Sequence, residues 1–459
     1  MNSYLSYKES ITGMKYLNKR RINNIFLFSL LACLSIFRCI NTSLYAQQQI
    51  QNLSFVNSTQ KSVSFPFKFI NNLIILPVVI NDSDTLQFIL DTGVSTSIMT
   101  ELSIGDSLLL NYTRQIKIHG LGQGEPIDAL HSSGNSFNVS SIRGTNQDLI
   151  ILLQNVFNLS SVFGTRIHGL LGYNIFMNFI VEIDYSKNII SFHDPKTYNY
   201  KKGWWIFRSG RKNESLPLII HETKPYILAY IVMNNGSRIP VKLLVDTGAS
   251  HSLWLDTFSD SLIKVPEETI EVFLGKGLNG DIFGKLGKIS EVQIGNFVFS
   301  NPIAAFPDSI SAGQSMGLDY RNGTLGAELL RRFNVIIDYP NKKITLTKNS
   351  NFNDPFKVNR SGIDIETPIP ELPYYVISHV RKGSPAENAG LRSGDEIKYI
   401  NNNRAYNLSI NDIYEFFCRK SGKRIKLGII RDEYYFSVDI YLKDFIATKT
   451  SPNNKTWQK

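Results

Sequence analysis

Phe88-Ile89-Leu90-Asp91-Thr92-Gly93-Val94-Ser95 returns later in the chain as Leu243-Leu244-Val245-Asp246-Thr247-Gly248-Ala249-Ser250, an offset of 155 (246 − 91). Gly120 and Gly122 return at the same offset as Gly275 and Gly277. Gly169-Leu170-Leu171-Gly172-Tyr173 returns as Gly323-Thr324-Leu325-Gly326-Ala327, now offset by 154 (323 − 169), one indel away. Phe179-Ile180-Val181-Glu182-Ile183-Asp184-Tyr185 then returns as Phe333-Asn334-Val335-Ile336-Ile337-Asp338-Tyr339. Four landmarks in one order identify an internal duplication, and that repeat sets the architecture.

Within each copy the pattern is β. Short runs rich in Val, Ile and Phe are bounded by Gly, Asn, Ser and Pro. Val181 to Tyr185 alternates with period two, as a half-buried strand does. Ser186-Lys187-Asn188 and Pro340-Asn341-Lys342 read as turns into Ile189–Phe192 and Ile344–Leu346, so both copies end in equivalent hairpins. The first lobe is expected over 60–200 and the second over 215–348, with 201–214 as connector.

An apolar run followed by Asp-Thr-Gly delivers an aspartate to the end of a strand. Glycine then permits a turn that other residues resist. Against an apolar wall the carboxylate charge is costly. A pseudo-twofold packing of the lobes would bring Asp91 and Asp246 face to face. Two carboxylates that close share a proton, and their titration belongs to the pair. One can then act as general base on a water and the other as general acid toward a carbonyl oxygen. An aspartate that merely caps backbone N–H groups is the plainer alternative.

Apolar-Asp-Thr-Gly, a Gly-rich stretch some thirty residues on, and then apolar-apolar-Gly resemble the retropepsin-like and pepsin-like aspartyl proteases. The resemblance spans both lobes. It implies an aspartic endopeptidase acting on proteins or peptides, with Asp91 and Asp246 as the catalytic dyad. Thr92 and Thr247 would cross-brace the two loops beside Gly93 and Gly248. The segments ending at Gly172 and Gly326 would pass behind them. The flap would be the hairpin near His119–Gly124, carrying Gly120 and Gly122, or that near Gly275–Gly284, carrying Gly275 and Gly277. This sequence departs from the pattern at Val94, where a smaller residue is common. Val94 and Ala249 also lack the hydroxyl that pepsin-like enzymes place there, which points to a working pH nearer that of the retroviral enzymes. The pepsin flap tyrosine has no counterpart. Two alternatives stay open: a catalytically inactive peptide-binding scaffold on the same lobes, and a dyad formed between two chains.

Beyond Tyr339 the pattern changes. Residues 349–359 are polar and read as a linker. In Gly383-Ser384-Pro385-Ala386-Glu387-Asn388-Ala389-Gly390, Ser384 suits an N-cap, Pro385 the first helical position and Glu387 a capping box, and Gly390 ends the helix. Gly394-Asp395 turns into the strand Glu396–Ile400. A second helix is expected over Ser409–Lys420. This run resembles a PDZ domain of the circularly permuted type found on bacterial envelope proteases, over about 360–445. The resemblance implies a small α+β module that adds an extended peptide as a strand. The carboxylate loop is expected near Glu371-Leu372-Pro373-Tyr374-Tyr375, where glycine is absent and Pro373 has no N–H to donate. The expected fold class is therefore mainly β: two retropepsin-like β-barrel lobes related by internal duplication, plus a small PDZ-like domain.

Lys19-Arg20-Arg21 precede the apolar run Ile25–Phe37, and Ala46 is followed by polar Gln47-Gln48-Gln49. That order is the one a secretory signal has over 1–46, with Met14 as a second start. It implies export to periplasm, envelope or exterior, and an uncleaved anchor is the alternative. Cys33 and Cys39 would leave with the signal, so only Cys418 stays in the mature chain. The net charge is +10, but Lys8, Lys15, Lys19, Arg20, Arg21 and Arg38 against Glu9 alone place +5 in the first 46 residues. The remaining excess is too diffuse to argue for nucleic acid. Gly275-Lys276-Gly277-Leu278-Asn279-Gly280 has dinucleotide-loop spacing, yet Asp281 to Gly287 makes a poor helix start, so a hairpin turn is expected. The seven histidines show no metal spacing, and no cofactor or metal is expected. A polar tail, 446–459, closes the chain.

Overall fold

The computed structural model describes residues 52–102, 108–120, 124–200, 213–308 and 321–444. The signal segment, the polar tail, Gly122 and 201–212 of the connector lie outside the described residues. Among the described residues no helix is long and apolar enough to cross a membrane.

Each lobe is built on one path. In the first, Leu73–Ile80 pairs antiparallel with Leu86–Leu90, and Leu86–Leu90 lies parallel to Gly169–Leu171. Ile98–Met99 follows, then the long hairpin Ile127–Val139 and Ile142–Leu152. Ile127–Val139 also pairs back onto Leu73–Ile80, which closes a six-stranded barrel. Closure leaves no free edge among these strands. The lobe begins before 60, because Asn52–Phe55 pairs with Ile142–Thr145.

The second lobe repeats the path through Lys224–Val232, Arg238–Val245, Gly323–Leu325 and Leu253–Leu255. Here each arm of the long hairpin is cut in two: Gly280–Lys288 with Glu291–Ile294, and Phe297–Ser300 with Ile303–Pro307. The corner where Gly280–Lys288 breaks matches a register shift around Gly134 in the first lobe. The other corner carries Asn146 in one copy and Asn301 in the other, with φ 54° and 52°. Asparagine tolerates this left-handed backbone better than most residues, so each copy turns its barrel corner with the same residue type.

The terminal hairpins do more than end the copies. Ile180–Asp184 and Phe333–Asp338 pair with one another at the centre of a six-stranded sheet shared by both lobes. The register is Val181 with Ile337, Glu182 with Ile336 and Ile183 with Val335. Under the repeat offset the outer pairs exchange and the middle pair maps onto itself. The pseudo-twofold axis therefore crosses this sheet at Glu182 and Ile336. Val181, Ile183, Val335 and Ile337 are fully buried and belong to one apolar cluster drawn from both lobes. Each such side chain contributes about 1.5–3 kcal/mol on burial, which holds the two barrels as one body.

The stretch read as a linker is fixed. Phe352 and Phe356 pack against that shared core. Arg332, only 1% exposed, donates to the carbonyls of Phe352 and Asp354 and to Glu328, and its guanidinium lies 4.1 Å from the Phe356 ring centre. The third domain then follows as a sheet in the order Ile363–Glu366, Tyr375–Val380, Glu396–Ile400, Arg424–Arg431, Tyr434–Tyr441. Its helices are Pro385–Asn388 and Ile410–Phe417, the second shorter than expected, and both have serine N-caps. The Glu387 carboxylate reaches the Gly383 N–H, one residue before the cap; the reciprocal capping box occurs instead at Ser409 and Asp412.

This domain rests on the first lobe. Asn71 N–H donates to the Asn411 side chain, which donates back to Phe69 O; Thr367 N–H donates to Ser161 O at 2.8 Å. The segment 371–375, expected to form a carboxylate loop, instead joins the first two strands of the sheet and gives its Glu371 N–H to Gly164 O. The loop that leads into the edge strand is 359–362.

Candidate active site

Both Asp-Thr-Gly turns follow a strand held from behind. Asp91 N–H donates to Leu171 O and Asp246 N–H to Leu325 O, each at 3.0 Å. The segments ending at Gly172 and Gly326 thus lie behind the loops. Both must be glycine for space, since a Cβ on Gly172 would strike Val94 O and one on Gly326 would strike His251 O. Gly93 and Gly248 are glycine for a related reason. Neither has a left-handed backbone. A Cβ on Gly93 would lie 3.1 Å from Asp91 Oδ1 and 3.2 Å from Asp246 Oδ2, and one on Gly248 would overlap the Asp91 carboxylate. The expectation that these glycines serve the turn's backbone is corrected: they make room for the facing carboxylates.

The loops are locked across the twofold. Thr92 N–H donates to Thr247 Oγ1 at 3.1 Å, and Thr247 N–H to Thr92 Oγ1 at 3.0 Å. Each hydroxyl then donates to the opposite strand, Thr92 to Val245 O at 2.6 Å and Thr247 to Leu90 O at 2.8 Å. Both threonines are buried. Threonine fits because one hydroxyl must accept and donate at once in a dry site.

This lock brings Asp91 and Asp246 together, joined by a side-chain hydrogen bond. Each accepts from the glycine of its own loop, Gly93 N–H at 2.7 Å and Gly248 N–H at 2.9 Å. Burial pushes both carboxyls up. For Asp91 the charge of Asp246 and the bond to it push further, with only Gly93 N–H opposing. For Asp246 the Gly248 N–H, the Arg321 cation, the bond from Asp91 and the Ala249 N–H all pull back down. Both carboxyls are thus raised, and the pair titrates as a unit that favours sharing one proton.

Both flap hairpins contribute, and they meet. The tip between Gly277 and Gly280 reaches from the second lobe to the first. Asn279 Oδ1 accepts from Gly120 N–H at 2.5 Å, Asn279 O accepts from Gly124 N–H at 2.5 Å, and its amide donates to Glu125 O at 2.6 Å. Gly275 and Gly277 lie on the strand leading to this tip, in the hairpin expected in place of a dinucleotide loop. Beneath the flaps is a cavity of about 1500 Å³ whose wall includes both aspartates, Gly120, Phe273, Phe283 and Arg321. Val94 packs toward Ile98, Ala129 and Leu152.

Sequence reasoning passed over Asn279 and Arg321. The first lies in Asn-Gly, a hairpin signal that says nothing about crossing to another lobe. The second is a single cation with no motif; its counterpart in the first copy is Ile167, so it breaks the symmetry of the dyad. His251 lies in the cavity wall, where burial pushes its imidazole below the usual value against a bond with the Leu274 backbone. Cys418 is buried at the end of the Ile410–Phe417 helix, its thiol pushed up to about 12 by burial. Among the described residues no group of three or more His, Cys, Asp or Glu could hold a metal.

Residues 76–175 and 230–329 both match the aspartyl protease family, and 350–430 match the PDZ domain. No curated protein matches the chain. The chain carries two aspartyl protease segments in tandem, one per barrel, followed by a C-terminal PDZ domain.

Two outcomes follow. Thr247→Val orphans the buried Thr92 N–H and Leu90 O; urea unfolding should show a loss of about 1–3 kcal/mol per orphaned group, largely recovered in Thr247→Ser. The second concerns pH. Folding raises the Asp91 carboxyl above its ordinary 3.8, so the native state binds the extra proton and loses stability as pH climbs through the raised value. The melting temperature of Asp91→Asn should therefore match wild type at acid pH and exceed it increasingly toward neutrality. A difference independent of pH would contradict the shared proton.

Proposed function

We propose that the protein is an aspartic endopeptidase in which Asp91 and Asp246 cut a peptide bond with one water. The reading rests on one observation: two buried, hydrogen-bonded carboxylates on loops braced across a twofold, beneath paired flaps. The ionised Asp246 accepts a proton from the water as its oxygen bonds to the carbonyl carbon. Asp91 gives its proton to the carbonyl oxygen. The tetrahedral diol then collapses: Asp246 passes its proton to the amide nitrogen, the C–N bond breaks, and Asp91 recovers a proton from the hydroxyl. The dyad ends as it began, with no covalent intermediate.

Arg321 supports this division by favouring charge on Asp246 rather than Asp91. Gly248 and Ala249 N–H groups act in the same sense. The Asn279 bridge would keep bulk water from the bound substrate and must open for it to enter. We further propose that the chain is exported, on the basis of the basic, apolar and cleavage-site order of residues 1–46, and that its PDZ domain handles extended peptide.

Labelled casein, an unfolded protein, incubated across a pH series with wild type, Asp91→Asn and Asp246→Asn, is the direct test. Wild type should cleave, and each variant should lose at least about a thousandfold in rate, the scale expected when one of two cooperating groups is removed. Rate per molecule should not change on dilution, because both aspartates belong to one chain. No cleavage by wild type at any pH would favour the inactive scaffold; cleavage by both variants would place the chemistry elsewhere.

A further inference from the structure

The repeat allows the two walls of the cleft to be compared position by position. In the first lobe Ile89, Leu170 and Ile98 stand side by side on neighbouring strands, Leu170 in register with both others. In the second lobe Leu244, Thr324 and Trp254 stand in the same places. Residues paired across neighbouring strands share a face of the sheet, and both trios line the cavity that holds the dyad. Ile89 lies two residues before Asp91, and Leu244 two before Asp246. Each carboxyl thus has its own platform.

The platforms differ in chemistry. The first is aliphatic throughout. Ile167, three residues before Leu170, is fully buried in an apolar cluster with Leu73, Ile89 and Phe163. The second carries a hydroxyl at Thr324 and an indole at Trp254. Three residues before Thr324 stands Arg321, half-buried and part of the cavity wall. Among the described residues Arg321 donates no hydrogen bond and joins no ion pair, although its charge is felt at Asp246. The wall's carboxylates outside the dyad stand on other elements: Glu222 beside Thr223, whose hydroxyl bonds Ser95, Asp281 on a flap strand, and Asp364 and Glu366 on the PDZ sheet. A half-buried guanidinium with its donors unused is suited to an arriving anion. An ionised dyad repels an acidic substrate group, and a cation at this place offsets that repulsion.

We propose that Arg321 selects an acidic side chain, Asp or Glu, next to the bond that is cut. The inference rests on the proteolytic reading of the dyad and gives it a substrate class: chains with a carboxylate on the second-lobe side of that bond. The carboxylate would take two N–H groups of the guanidinium, with Leu244 and Trp254 packing on its methylene carbons. Glutamine there would make a weaker, neutral bond, and lysine or arginine would meet a like charge. The first-lobe platform, with Ile167 in place of the cation, offers nothing comparable.

Binding to the full chain carrying Asp91→Asn separates this idea from catalysis, because it needs no turnover. The probes are labelled short-peptide pools, random except for a central Phe-Glu or Glu-Phe pair, and the same pools with Gln or Lys in place of Glu. All are amidated at the C-terminus, so only a side-chain carboxylate can respond. Fluorescence anisotropy should show one of the two Glu pools bound at least about tenfold more tightly than its Gln counterpart, with the margin shrinking as salt is raised. Adding Arg321→Gln should abolish the margin, Arg321→Lys should keep part of it, and Arg321→Glu should reverse it in favour of Lys. These are ratios within one protein, so any effect of Arg321 on the dyad cancels. Equal affinity for Glu and Gln pools in both orders, or a margin that survives Arg321→Gln, would overturn the inference. Failure of wild type to cut the pools, with the Arg321-dependent margin intact, would instead count against the protease reading alone.

Discussion

Two carboxylates, each of which would rather be ionised in water, are held in a dry site close enough to share a proton. The reciprocal threonine lock makes this arrangement persist. Without it the raised free energy of Asp91 and Asp246 could be relieved by a small separation of the loops. With it, each loop is hydrogen-bonded to the other through both a main-chain N–H and a strand carbonyl. The supporting strands, the space left by Gly93 and Gly248, and the central sheet all serve to keep that lock closed. Stored electrostatic strain of this kind is what poised acid and base groups require.

The duplication supplies symmetry, and function requires departures from it. A perfectly symmetric dyad would have no preferred proton carrier. Arg321 stands where the first copy has Ile167, and it biases the pair. The hairpins differ as well: the second lobe's tip sends Asn279 across to the first. The third domain adds a further asymmetry, since its Asn411 and Thr367 hydrogen-bond to the first lobe. Symmetry thus builds the carboxylate pair, while asymmetry makes the surroundings of its two members different.

Much of this was legible in the residues. The repeated Asp-Thr-Gly, the matching glycines and the terminal hairpins located both loops and both lobes, because each depends on a local pattern. The serine caps did the same for the two helices of the third domain. Contacts between distant segments were not legible. Ile180–Asp184 reads as a strand, but nothing local says that its partner is Phe333–Asp338. Asn279 reads as a turn residue, and Arg321 reads as nothing in particular. The segment 349–359 looked like a linker because its composition is polar, yet Phe352 and Phe356 tie it to the core. The glycines of the two Asp-Thr-Gly loops read as backbone devices, whereas the structure shows that they leave space. Their role depends on a carboxylate some 155 residues away, which no local rule can see.

The central claim is a single proton shared by Asp91 and Asp246 within one chain. Its most direct test is a pH titration of carboxyl carbon signals by NMR on protein with isotopically labelled aspartate. One aspartate should stay protonated well above its ordinary value of 3.8, and that signal should be assigned to Asp91 by its loss in Asp91→Asn. In Asp246→Asn the Asp91 titration should shift, since its partner's charge is gone. Two aspartates that titrate independently near the ordinary value, each indifferent to replacement of the other, would contradict the account.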